Sequence, residues 1–181
     1  MIENGLAGPL REMGERYGRG EIFLTDLIGA AAVMEIAMDR LGGVLEKNRQ
    51  QREAVGKVLI GTVEGDIHDI GKNIVTAMFR ADGFNVLDLG KDVPTAHFVQ
   101  KVREVQPEIV GASALLSTTM EKQADLIKAL VTEGLREGVH VIVGGAPCTA
   151  EWSNSIGADG YGTDAIEAVR VAREMLRLAL K

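Results

Sequence analysis

The stretch KVLIGTVEGDIHDIGKN, residues 57–73, gives the strongest indication of how this chain folds. Its apolar opening at residues 57–60 predicts a buried strand and its end predicts a helix, so Asp66, His68 and Gly71 are expected in the loop between them. In an open α/β sheet, ligands bind in the crevice beyond the carboxyl ends of the strands. An imidazole that follows a carboxylate by two residues has the chemistry of a metal ligand and a partner that fixes its tautomer.

Composition is typical of a globular protein and argues against nucleic acid or a membrane as the partner. The 181 residues are 46% hydrophobic and 25% charged, which suits one medium α/β domain or a compact domain with a small appendage. A net charge of −6 without a dense lysine or arginine run argues against a nucleic-acid or membrane surface. The sequence has neither a run of about 18 apolar residues nor a signal peptide, so the cytoplasm is the expected location. Cys148 is the only cysteine, which excludes an intrachain disulfide.

The first quarter of the chain predicts helices rather than strands. A first helix with one buried face is indicated by apolar residues at three- and four-residue spacings, namely Leu6, Leu10, Met13 and Tyr17. A second helix is expected to begin near Leu24, with Thr25 as its N-cap, and to run to about Leu41. Residues 46–53 are polar and predict a linker or a helix end that leads into one. We therefore divide the chain into a helical cap at 1–48, a linker at 49–56 and a main domain at 57–181.

Beyond residue 57 the pattern alternates between strands and helices, which is typical of a parallel sheet covered on both faces. Strands are predicted at 57–63, 85–89, 109–114, 140–143 and 160–161, and helices at 70–81, 95–105, 118–137, 150–155 and 165–179. This order predicts an α/β protein with a flavodoxin-like, doubly wound five-stranded parallel sheet in the order 2-1-3-4-5. Its crevice is expected between the first and third strands.

Two later loops and the N-terminal segment extend the pattern of residues 66–71, Asp-x-His-x-x-Gly. The third strand is followed by a Ser-x-Leu segment within GASALLSTTM, residues 111–120, and the fourth by the Gly-Gly segment of VGGAP, residues 143–147. Residues 13–24 read MGERYGRGEIFL. Together these segments resemble the cap and B12-binding domains of methionine synthase and of small corrinoid proteins that carry methyl groups. The resemblance covers nearly the whole chain.

The resemblance implies a role for each matching residue. His68 is implied to be the lower axial ligand of the cobalt, Asp66 to accept a hydrogen bond from its other ring nitrogen, and Thr119 to complete a proton relay behind them. These three are the implied catalytic residues, and His68 is the implied metal ligand. The implied cofactor contacts are Gly65, Asp66, His68, Asp69, Gly71, Ser113, Leu115, Ser117, Gly144, Gly145, Ala165, Tyr17, Leu24 and Glu3.

The implied function is that of a corrinoid methyl carrier, with cobalamin or a related corrinoid, in its methylated form, as cofactor. One methyltransferase specific for a substrate such as a methylamine, methanol or a methoxylated aromatic would load the methyl group. A second would pass it to a pterin or thiol, and a reductive activator is a further expected partner. The chain would then be a component of a methyltransferase system rather than a complete enzyme.

Three alternatives remain open from sequence. The three loops also suit the B12-binding subunit of an adenosylcobalamin-dependent mutase, although such subunits generally lack the segment at 13–24. A cobalamin-based sensor is a second alternative, although no DNA-reading helix is visible. A divalent ion bound by Asp66, His68 and Asp69 is the third.

The predicted cap departs from the family pattern. Family caps usually form a four-helix bundle, whereas only about two helices' worth of sequence precedes the linker, as if roughly thirty residues were missing. The assignment of Glu3 to the face above the cofactor depends on this region. We expect a homodimer through the N-terminal segment, which would bury Leu6, Leu10, Met34 and Met38.

Overall fold

The computed structural model describes residues 8–49 and 54–179. The helices are α1 (Gly8–Gly18), α2 (Leu24–Arg49), α3 (Ile70–Ala81), α4 (Thr95–Val105), α5 (Ser117–Thr132), α6 (Ala150–Ile156) and α7 (Ala165–Ala179). The strands are β1 (Lys57–Thr62), β2 (Asn85–Asp88), β3 (Ile109–Ser113), β4 (His140–Gly144) and β5 (Gly160–Gly162). A short 3₁₀ helix spans Arg136–Gly138. None of the described helices is long and apolar enough to cross a membrane.

The five strands form one parallel sheet in the order β2-β1-β3-β4-β5, which confirms the predicted fold. β1 lies between β2 and β3, and its residues Val58, Leu59 and Ile60 are all at most 4% exposed. Helices on both faces of a parallel sheet bury both sides of each central strand, which explains why its strands are continuous apolar runs rather than alternating ones.

Two hydrophobic cores lie on opposite faces of this sheet. Because successive residues of a strand point to opposite faces, Leu59 of β1 packs with α4 and α5, whereas Val58 and Ile60 pack with α3 and α7. The second core also takes in residues of α1 and α2. Among the described helices, α4 and α5 cover one face together with Ile156 of α6, whereas α3 and α7 cover the other and α1 and α2 pack against them.

The N-terminal helices pack within the chain, and part of the reasoning for a dimer is wrong. Leu10 of α1 and Met34 of α2 are each 2% exposed in the core that they share with α3 and α7. They therefore need no second subunit for their burial. Leu6 and the side chain of Met38 lie outside the described residues.

Three predicted helix ends also differ from the structure. The helix predicted at 118–137 ends at Thr132, because Gly134 adopts a left-handed φ of +69° that a helix cannot continue through. Thr25 lies inside α2 rather than at its N-cap; instead, Asp26 accepts a hydrogen bond from the Phe23 N–H at 2.9 Å. At its other end α2 includes Arg49, where the linker was expected to begin, and residues 50–53 of that linker lie outside the described residues.

Candidate functional site

Three loops meet at one edge of the sheet because three neighbouring strands end in register. Thr62 pairs with Ser113 across β1 and β3, and Ser113 pairs with Gly144 across β3 and β4. The chain direction is the same in each strand, so the loops that follow begin side by side. The backbone continues this alignment beyond the strands, since the Ala114 N–H donates to the Gly144 carbonyl at 3.0 Å.

Asp66 is the centre of the hydrogen bonding between two of these loops. Its side chain is fully buried, and its Oδ2 atom accepts hydrogen bonds from the backbone N–H groups of Leu115 at 2.7 Å and Leu116 at 3.3 Å. The Thr119 hydroxyl donates to the same oxygen at 2.8 Å. A buried carboxylate is costly unless such donors surround it, so the loop after β3 has to lie against the loop after β1.

His68 contacts the other oxygen of the same carboxylate. Its Nδ1 lies 2.7 Å from Asp66 Oδ1, and its backbone N–H donates to that oxygen at 3.0 Å. The Thr62 hydroxyl donates to the His68 carbonyl at 3.0 Å, which fixes the main chain as well. An ionised carboxylate only accepts, so Nδ1 carries the proton and Nε2 is the ring nitrogen with a free lone pair. The imidazole is 46% exposed and can reach a ligand.

The hydrogen bonds keep Asp66 ionised in spite of its burial. Burial is the largest single influence and would raise the pKa of the carboxyl group. The N–H groups of His68 and Leu115, the Thr119 hydroxyl and the His68 ring act in the opposite direction, and together they lower the pKa well below its usual range. The geometry therefore brings together His68, Asp66 and Thr119 in one hydrogen-bonded series around a permanent negative charge.

A cavity of about 660 Å³ opens beside His68. It extends between the sheet and helices α3 and α7, and its inner wall is apolar, with Ile60, Ile142 and Phe79 among its residues. Ten of the residues assigned to the cofactor from sequence line it, namely Tyr17, Leu24, His68, Asp69, Gly71, Ser113, Leu115, Gly144, Gly145 and Ala165. The N-terminal helices thus contribute to the same cavity as the three loops.

Three of the remaining assigned residues do not line the cavity. Asp66 is buried behind His68, and Gly65 precedes it with a left-handed φ of +82°. Ser117 begins α5 with an exposed side chain and does not line the cavity. Glu3 lies outside the described residues.

Gly145 shapes the wall between two loops. A Cβ atom at this position would lie 1.8 Å from the Ala114 carbonyl oxygen, and its φ of +124° is one that other residues rarely adopt. The backbone of the loop after β4 can therefore approach the loop after β3 only with glycine at this position.

Sequence reasoning missed a buried glutamine that connects these two loops from behind. The Gln123 side-chain amide donates to the carbonyls of Ala112 at 2.9 Å and Gly144 at 3.1 Å. Its oxygen accepts from Trp152 Nε1 at 2.9 Å and from the Cys148 thiol at 3.4 Å, and burial raises the pKa of that thiol. A polar residue on the apolar face of a predicted helix was the available signal.

A second missed feature is the loop that joins β2 to α4. Lys72, whose side chain is 1% exposed, pairs with Asp88 at the end of β2. Asp69 pairs with Lys91 at 3.3 Å.

Across the described residues, no group of three or more His, Cys, Asp or Glu side chains is placed to hold a metal ion, so the alternative of a divalent ion at Asp66, His68 and Asp69 has no support.

Comparison with known proteins identifies the family. A model of the B12-binding domain matches residues 56–170, and a second B12-binding domain model matches residues 1–41. The chain belongs to the B12-binding domain family. The resemblance to corrinoid-binding proteins is therefore confirmed, and cobalamin or a related corrinoid is the cofactor class of this family.

Individual relatives cover nearly the whole chain. The chain is 43% identical to a trimethylamine corrinoid protein of Methanosarcina barkeri over 98% of its own length and 82% of the relative's. A cobalamin-binding protein from Desulfitobacterium hafniense is similar in structure with a TM-score of 0.77 and 41% identity, over 96% of this chain and 81% of that one. The methanol:cobalamin methyltransferase complex of Methanosarcina barkeri has a TM-score of 0.79 and 30% identity, over 97% of this chain and 66% of that one.

We predict that Asp66→Asn destabilises the corrinoid-free protein by about 1–3 kcal/mol at pH 7, because the amide presents a donor to groups that donate. Since the pKa of Asp66 is lower in the folded state, its contribution is complete above the unfolded pKa of about 4 and is lost as pH falls. The difference in free energy of unfolding between the two proteins should therefore be constant from about pH 7 to 5 and smaller at pH 3. Urea titrations measure it, with the half-exposed Asp125→Asn as control. A difference that is unchanged at pH 3 would contradict the prediction.

We predict that Gly145→Ala weakens corrinoid binding more than His68→Ala does, because the added Cβ forces the two loops apart. Overfilling a packed site costs on the order of 1–3 kcal/mol. Gly157→Ala is the matched control, since Gly157 also has a left-handed φ, +77°, but nothing within 4 Å of an added Cβ. Equilibrium dialysis measures the affinities. Equal affinity of wild type and Gly145→Ala would show that the cofactor does not depend on this wall.

Proposed function

We propose that this protein carries a methyl group on the cobalt of a bound corrinoid, between a substrate-specific methyltransferase and a second methyltransferase that acts on a pterin or thiol. The observation that carries the proposal is the series His68, Asp66 and Thr119 at the edge of the cavity. It belongs to a chain that is 43% identical to a trimethylamine corrinoid protein and 44% identical to a dimethylamine corrinoid protein.

The residues present suit a corrinoid. His68 would hold the cobalt through Nε2, while Asp66 holds the ring by Nδ1. The apolar cavity beside it suits the nucleotide tail of the cofactor, with Ser113, Gly144 and Gly145 on its wall. Tyr17 and Leu24 reach the same cavity from the N-terminal helices and would cover the cofactor from that side.

When bound, the corrinoid supplies a cobalt centre that can accept a methyl group and release it. Of this chain's own residues, His68 would be the one that holds that centre. A carboxylate that is bonded to an imidazole raises the basicity of the opposite ring nitrogen, so Asp66 strengthens His68 as a donor. The Thr119 hydroxyl donates a hydrogen bond to Asp66 and would be the group behind it in the relay. The permanent charge of Asp66 holds the proton on Nδ1, so Nε2 would stay the donor atom of this series.

We propose a methylated amine as the source of the methyl group. The relatives that support this are named as trimethylamine and dimethylamine corrinoid proteins, and a similar structure is a monomethylamine corrinoid protein at 38% identity. Methanol is supported less, since the methanol system matches at 30% identity.

A reductive activator as a further partner and a location in the cytoplasm complete the proposal. We also propose that residues 1–48 act as a cap, 49–56 as a linker and 57–181 as the corrinoid-binding domain.

We predict that His68→Ala retains the corrinoid but loses coordination by the protein. Electron paramagnetic resonance of the Co(II) form measures this, with protein histidine labelled with ¹⁵N so that its splitting differs from that of the cofactor's own base. The wild type should show the ¹⁵N splitting, and so should His97→Ala, which removes an exposed histidine of α4. A ¹⁵N splitting that persists in His68→Ala would refute the role of His68.

We further propose a homodimer, now supported by exposed rather than buried residues of α2. Val33 and Ile36 are 61% and 58% exposed, and a second copy would cover them. We predict that the full chain sediments as a dimer at micromolar concentration and that Val33→Asp with Ile36→Asp makes it a monomer. Val131→Asp, at a residue of α5 that is 59% exposed, is the control. A monomeric wild type would contradict the proposal.

A further inference from the structure

We propose that Asp92 is a positioning residue for His68, acting through the loop between β2 and α4. The inference rests on the proposed function, because it concerns the reach of His68 toward a bound cobalt. Asp92 neither lines the cavity nor contacts the imidazole. It acts on the backbone of Gly65 and Asp66, three and two residues before the histidine.

Asp92 makes two hydrogen bonds to consecutive residues of the loop after β1. Its Oδ1 atom accepts from the Gly65 N–H at 2.7 Å, and its own N–H donates to the Asp66 carbonyl at 2.9 Å. Next to these bonds, Val63 and Val93 form an isolated parallel bridge that extends the sheet by one pair. The loop after β2 therefore continues the sheet alongside the loop that carries His68.

The two parts of Asp66 are held by different loops. The loop after β3 binds its carboxylate through Leu115 and Thr119, whereas Asp92 binds its main chain. His68 follows two residues later and takes its ring position from that same carboxylate. Fixing both the main chain and the side chain of Asp66 leaves the imidazole little freedom to shift relative to the cavity.

The segment that follows His68 is also held by the loop after β2. Asp88 at the end of β2 pairs with the buried Lys72 and accepts from the Gly90 N–H at 2.8 Å, and Lys91 pairs with Asp69 at 3.3 Å. Residues 88–92 thus contact the chain both before His68, at Gly65 and Asp66, and after it, at Asp69 and Lys72. Asp92 is the member of this set that binds the backbone next to Asp66 directly.

The backbone of Asp92 adopts a conformation that few residue types favour. Its φ is +52°, and among the described residues other than glycine only Gln106 shares a positive φ. Aspartate and asparagine tolerate this region better than other side chains with a Cβ, and glycine adopts it freely. The geometry therefore allows the acceptor and the backbone conformation to be varied separately.

The test compares Asp92→Gly, which keeps the positive φ and removes the acceptor, with Asp92→Asn, which keeps both. The Co(II) corrinoid complex of each variant is measured by electron paramagnetic resonance with ¹⁵N-labelled protein histidine, and corrinoid affinity by equilibrium dialysis. Asp92→Gly is expected to lower the ratio of histidine-coordinated to uncoordinated cobalt about fivefold, the effect of one lost hydrogen bond. Asp92→Asn is expected to restore the wild-type ratio.

Gln106→Gly is the matched control, because Gln106 also has a positive φ, +49°, at the C-cap of α4 and does not line the cavity. It should keep the wild-type ratio. A wild-type ratio in Asp92→Gly, or an equal loss in Asp92→Asn, would overturn the proposal. If Asp92→Gly does not fold, Asp92→Ser is compared with Gln106→Ser, because both place a serine at a positive φ. Only Asp92→Ser should lower the ratio, since the serine hydroxyl is one bond closer to the main chain than the carboxylate oxygen that it replaces. A wild-type protein without any ¹⁵N splitting would instead refute the proposed function.

Discussion

The buried carboxylate of Asp66 connects two loops that lie 49 residues apart in the chain. An ionised group without contact with water requires donors on every side, and the polypeptide supplies them from the loop after β3 and from His68 itself. Those loops can meet only because β1 and β3 are neighbours that end in register. The strand order of the sheet and the charge of one side chain therefore impose the same arrangement.

The same constraint gives the site its chemistry. Because the hydrogen bonds keep the pKa of Asp66 low, its charge is permanent at physiological pH, and the proton on His68 Nδ1 has a fixed acceptor. Nε2 is then presented at the edge of the cavity in a defined tautomer. The Thr119 hydroxyl donates to the same carboxylate, so the imidazole is held in place by groups that do not themselves line the cavity.

The N-terminal helices and the glycine-rich loop shape the space that this imidazole faces. Leu10 and Met34 anchor α1 and α2 against α3 and α7, which brings Tyr17 and Leu24 to the cavity. On the opposite wall, Gly145 allows two backbones to approach more closely than any Cβ would permit. The burial of the helices and the close approach of the loops are thus both conditions for a single apolar cavity beside His68.

Local signals in the sequence determined the strands and most helix bounds, and the strand order was predicted from the fold class that their alternation is typical of. Apolar runs at 57–60 and 109–114 predict buried strands, and Asp-x-His-x-x-Gly places an imidazole and its carboxylate in one loop, since such patterns depend only on near neighbours. Tertiary structure decided the rest. The burial of Leu10 and Met34, the bonds of Gln123 across two strand ends, and the contact of Asp92 with Gly65 join residues far apart in the chain. No local pattern encodes such contacts, because they arise only when the parallel strands bring their carboxyl ends together at one edge.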